Sequence, residues 1–148
     1  MFYLKGLYRK NWKIKVQKKI DLLILDDSYV NFDFKNIKCH LLFNEVYLFE
    51  AIQSIFIYLF KKTHLNLYEV YFSLIINNFN PKVAIGHDKN GKIFLFKKLF
   101  PKKISIAYQF GYIFDFSISD QYKKKLKDKH VDYYFVYDKR SKIILKKI

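Results

Sequence analysis

Apolar and polar positions along this chain follow two periods. Residues 20–27 (IDLLILDD) form a continuous aliphatic run closed by two aspartates, as expected of a strand buried on both faces of a parallel sheet. Residues 37–43 (IKCHLLF) read as a weaker strand. From Tyr47 the run YLFEAIQSIFIYLFKK turns to a helical period. Leu48, Ile52, Ile55, Phe56 and Leu59 are predicted to face inward, and two lysines at the C-terminal end suit the helix dipole. Residues 66–80 (NLYEVYFSLIINNFN) repeat that period, with Asn66 as N-cap and Leu67, Val70, Tyr71, Leu74 and Ile75 on one face.

One cadence then occurs twice. NPKVAIGHD and FPKKISIAYQFG each follow a helical pattern, turn at Pro81 or Pro101, place a lysine next, and run apolar to a glycine. A proline stops the preceding helix, because the residue before it is pushed out of the α region. The 16 residues between Gly86 and Lys103 suffice for a helical crossover between parallel strands, which GKIFLFKKLF would supply. Residues 119–130 read as a polar helix capped by Ser119 or Asp120, residues 131–138 (VDYYFVYD) as a last strand, and the final residues as the start of a helix. The expected fold is therefore α/β: one Rossmann-like domain over 1–148, a doubly wound parallel sheet of about five strands with helices on both faces.

Composition changes this picture little. A 51% hydrophobic fraction over 148 residues excludes a disordered chain and supports one sizeable core. The net charge is +15, but of the 28 cations only Arg9 and Arg140 are arginine. Base readout and bidentate phosphate clamping favour guanidinium groups, so nucleic acid is the least favoured partner. The lysine surplus reads first as A/T-biased composition and a solvated surface, and next as an attraction for an anionic membrane or a lipid-linked partner. Cys39 is the single cysteine, which excludes an intrachain disulfide and a thiolate metal cage. The N-terminus lacks a small-residue cleavage site, and the longest charge-free apolar stretch, AIQSIFIYLF, is half of what a membrane span needs. These features predict a cytoplasmic protein, peripheral at most to the inner face of the membrane.

In open α/β sheets ligands bind beyond the carboxyl ends of the strands. That rule selects Asp26, Asp27 and Ser28 after the first strand, Gly86, His87 and Asp88 after KVAI, Gln109, Gly111 and Tyr112 after SIAY, and Asp138 after the last strand. His87 is the pointed member, an imidazole able to act as a base oriented by Asp88, although neighbours on an extended chain point opposite ways and Asp88 need not touch it. Each of these residues has an alternative reading as a plain turn residue. Gly86 and Gly111 suggest positive φ or close backbone approach to a ligand. His40, His64 and His130 show no ligand spacing, so no metal is expected, and no cofactor either: the chain has no G-x-G-x-x-G after its first strand and no Walker loop.

Asn80-Pro81-Lys82, the turn Gly86-His87-Asp88, Phe100-Pro101, Gln109-Phe110-Gly111 and Asp132-Tyr133-Tyr134-Phe135-Val136 occur in an order that resembles the N-terminal half of bacterial surface-carbohydrate biosynthesis transferases. These are glycosyltransferases and polyol-phosphate transferases of the two-domain GT-B layout. The resemblance covers a little over half the chain. It implies the acceptor-side domain of a transferase for capsule, lipopolysaccharide or teichoic-acid-type polymers, inactive without a C-terminal domain that binds a nucleotide-activated sugar or polyol phosphate. His87 or Asp27 would then deprotonate a hydroxyl of a glycan or lipid-linked acceptor. Two other readings stay open: a non-catalytic Rossmann-like domain that binds a ligand or protein, and a basic nucleic-acid binder.

Overall fold

The computed structural model describes residues 11–16, 19–26, 37–42, 44–88, 91–109 and 130–136. Five short parallel strands form one sheet: β2 (Leu22–Ile24), β3 (Cys39–Leu41), β5 (Val83–His87), β6 (Ile104–Tyr108) and β7 (Tyr133–Phe135), in the order β3-β2-β5-β6-β7. Counted along the chain this is the order 2-1-3-4-5, one of the two common doubly wound arrangements. The α/β fold with an all-parallel sheet flanked by helices is thus as the sequence predicts. A second, two-stranded parallel sheet pairs β1 (Asn11–Lys13) with β4 (Glu45–Tyr47). Among the described residues the helices are α1 (Leu48–Phe60), α2 (Leu67–Phe79) and α3 (Lys92–Leu99).

Topology explains where the helices lie. The steps β3 to β5 and β5 to β6 cross the sheet in the same direction, so right-handed connections put their helices on one face. Leu23, Leu25, Ala84 and Ala107 from that face meet Phe72, Ile75, Ile76 and Phe79 of α2 and Ile93 and Phe96 of α3 in one core. Each large side chain buried there contributes about 1.5–3 kcal/mol. The step β2 to β3 runs the opposite way across the sheet, through residues 27–36. That connection, and the C-terminal helix expected after residue 138, lie outside the described residues.

The helix ends follow local chemistry. Asn66 and Glu69 form a reciprocal capping box at the start of α2, each side chain bonding the other's backbone N–H. Asn80 ends α2 in the left-handed region at φ 47°, a conformation asparagine tolerates, and Pro81 follows. Phe100 ends α3 immediately before Pro101.

Two helix faces differ from the sequence expectation. On α2 the buried residues are Val70, Phe72, Ile75, Ile76 and Phe79, whereas Leu67 is exposed. On α1 the orientation is reversed. Glu50 and Ser54 are its buried residues, and Leu48, Ile52, Ile55, Phe56 and Leu59 point to solvent. The cause is directional bonding. Glu50 Oε1 accepts from the Val16 backbone N–H at 3.1 Å and from Asn78 Nδ2 of α2 at 2.9 Å, while Ser54 satisfies its hydroxyl on the Ala51 carbonyl at 2.7 Å. The helix presents small and polar side chains to α2 and leaves the bulky ones outside.

Candidate functional site at the switch point

The chain leaves β2 and β5 in opposite directions, so the carboxyl ends of these adjacent strands form the topological switch point, where open α/β sheets bind ligands. Asp26 lies just past β2 and His87 ends β5. The Asp26 carboxylate is almost fully buried. Its Oδ2 accepts the His87 backbone N–H in a short hydrogen bond, and its Oδ1 lies 3.7 Å from Nε2 of the His87 ring. The imidazole keeps 20% of its surface exposed, against 1% for the Asp26 side chain. One wall of the dyad is therefore closed by protein and the other opens to solvent. Tyr108, the register partner of His87 on β6, sets its ring edge-on to the imidazole with centroids 6.1 Å apart.

Gly86 has a specific reason to be glycine. A Cβ there would meet Asp26 Oδ2 at 2.8 Å, Ile93 Cβ at 3.3 Å and Leu25 Cβ at 3.4 Å. Gly86 does not adopt a left-handed φ, and the space its missing side chain leaves is taken by the protein's own carboxylate. Neighbouring residues of an extended strand diverge, and the Asp88 carboxylate accepts a hydrogen bond from the Tyr134 hydroxyl at 2.6 Å. Asp26, from the adjacent strand, is the carboxylate that faces the imidazole.

Among the other expected site residues, Gln109 is buried at the end of β6 and donates its backbone N–H to the Phe135 carbonyl at 2.9 Å. Asp27, Ser28, Gly111, Tyr112 and Asp138 lie outside the described residues. Among the described residues no group of three or more His, Cys, Asp or Glu side chains is placed to hold a metal ion.

A second polar cluster escapes the sequence reading. His40 of β3 and Glu45 and Tyr47 of β4 converge: His40 Nε2 is 2.8 Å from Glu45 Oε2 and 3.1 Å from the Tyr47 oxygen, and the Tyr47 hydroxyl donates to the same Glu45 oxygen. Burial, reinforced by the hydrogen bond to Glu45 and its charge, holds the Tyr47 phenol well above its ordinary pKa, so it remains a donor. With Lys13, Ile14, Lys15 and Phe79 these residues line a pocket of about 380 Å³. The one local signal is the i, i+2 spacing of Glu45 and Tyr47, which puts both on the same side of a strand. No family model, curated protein or solved structure matches this chain.

Proposed function

We propose that the chain binds a hydroxyl-bearing ligand at the carboxyl ends of β2 and β5, with the Asp26–His87 dyad as acceptor of the hydroxyl proton. The observation that carries this reading is the one-fifth-exposed imidazole 3.7 Å from a buried carboxylate at the topological switch point. A neutral imidazole takes the proton as the hydroxyl attacks, and the Asp26 charge stabilises the imidazolium that results. The buried carboxylate also fixes the β5 backbone through the His87 N–H, which positions the residue that carries the ring.

The sequence resemblance narrows the ligand class to glycan or lipid-linked acceptors of surface-polysaccharide synthesis. The chain is then the acceptor-side domain of a glycosyl- or polyol-phosphate transferase. The acceptor oxygen displaces a nucleotide at an anomeric carbon or a phosphorus, one bond forming as the bond to the leaving nucleotide breaks, with that donor held by a second domain. Turnover of a nucleotide-activated donor onto such an acceptor, measured in the native full-length polypeptide, should fall by about 10²-fold or more in His87→Ala. An unchanged rate would remove His87 from the chemistry and this reading with it.

A further inference from the structure

Independently of the switch-point reading, we infer that α1 is a membrane-surface helix that docks this domain on an anionic lipid bilayer. Phe49, Ile52, Ile55, Phe56, Leu59 and Phe60 are between 47% and 77% exposed. At 100° per residue they form one continuous stripe of about 140°, wider than the stripe a helix needs to bury against a core. On a chain of this size such a patch marks an interaction surface rather than scattered exposed residues.

The charge around the stripe selects the occupant. Between residues 48 and 66 the single acidic side chain is Glu50, and it is buried on the opposite side of the helix. Lys61 and Lys62 follow the C-terminal end directly. At the other end the Ile14 carbonyl accepts the Phe49 N–H at 2.9 Å, which brings the exposed Ile14, flanked by Lys13 and Lys15, to the start of the helix. An apolar, aromatic-rich face bracketed by lysines is the arrangement of helices that lie in the headgroup plane, where the ammonium groups reach lipid phosphates while the rings enter the acyl boundary. A second copy of the chain would bring together two such lysine-bracketed faces on molecules of +15 each, which like-charge repulsion disfavours. Spanning is a different matter: no helix among the described residues is long and apolar enough to cross a membrane.

Flotation of the full chain with vesicles tests the assignment. Vesicles of phosphatidylglycerol and phosphatidylcholine should carry the protein, and pure phosphatidylcholine should carry at least tenfold less. Ile52→Gln with Phe56→Gln alters exposed positions only and should lower partitioning to the anionic vesicles by tenfold or more. Lys61→Gln with Lys62→Gln should lower it several-fold. Trp12, the single tryptophan, gives a second readout in the unaltered protein: its emission should shift to the blue with anionic vesicles. Failure of the wild-type protein to float with anionic vesicles overturns the proposal. So does equal flotation of wild type and the Ile52/Phe56 variant, which would mean that lysines alone bind. Light scattering that shows a dimer dissolved by the Ile52/Phe56 variant, without vesicle binding, would assign the face to a second copy instead.

Discussion

The carboxylate of Asp26 occupies the space where Gly86 would carry a side chain. Oδ2 of Asp26 would stand 2.8 Å from a Cβ at that position, and Ile93 and Leu25 close the remaining room. The glycine and the aspartate therefore form one device: the glycine opens a slot in β5, and the aspartate fills it and aims its second oxygen at His87. Gly86→Ala should force the carboxylate or the backbone to move, at a cost of about 1–3 kcal/mol typical of overpacking. A urea titration reads this directly, and a loss below about 0.5 kcal/mol would show that the slot is not tight.

Glu50 should be structural rather than catalytic. Its Oε1 serves Val16 and Asn78, and Oε2 is buried with no hydrogen-bond partner among the described residues. Glu50→Ala strands two donors and should cost about 1–3 kcal/mol. Glu50→Gln keeps an acceptor in place and relieves a buried charge, so it should cost clearly less. Equal losses in chemical denaturation would contradict this assignment of the two oxygens.

Acid should loosen the junction of α3, β6 and β7. Hydrogen bonds from Lys97 Nζ at 2.6 and 2.8 Å, then from the Ser105 backbone and hydroxyl, hold the Asp132 carboxyl down at about 2. An unfolded aspartate titrates near ~3.9. The folded value is the lower one, so the stabilisation is complete above about pH 4 and is lost as pH falls from 4 toward 2. Thermal midpoints of wild type and Asp132→Asn should differ most near neutrality and converge toward pH 2. Curves that stay parallel across that window would show that Asp132 does not carry the effect.

Tyr47→Phe removes the hydroxyl that donates to Glu45 while leaving the ring on Phe79. The expected loss is about 1 kcal/mol, with the backbone bond from Tyr47 N–H to the Tyr71 hydroxyl kept. Calorimetry that shows a gain in stability would mean the cluster is strained, as functional polar sites can be.

Much of the fold is legible in the chain because its signals are local. The aliphatic run at 20–27, the capping residue Asn66 and the two prolines each act on their own neighbourhood, and each marks its element to within a few residues. The repeated lysine has a tertiary meaning that spacing does not reveal. Lys103, from the second cadence, donates to Asn80 Oδ1 at 2.7 Å and to the Pro81 carbonyl at 2.9 Å in the first, so one turn fastens the other. The orientation of α1 was hidden because Glu50 is drawn inward by Val16 and Asn78, residues 34 and 28 positions away. The same holds at the site. Strand-end position marks both Asp26 and His87, but their pairing depends on β2 lying beside β5, and in sequence His87 has Asp88 as the nearer carboxylate.

Chemical-shift mapping of the chain with glycerol 3-phosphate as probe shows whether a ligand binds at the switch point. The largest amide shifts should fall on Gly86, His87 and Asp88 and should disappear in His87→Ala, while Asp132 and Ser105 stay in place. Shifts centred instead on His40, Glu45 and Tyr47, or shifts at β5 that survive His87→Ala, would contradict binding there through His87.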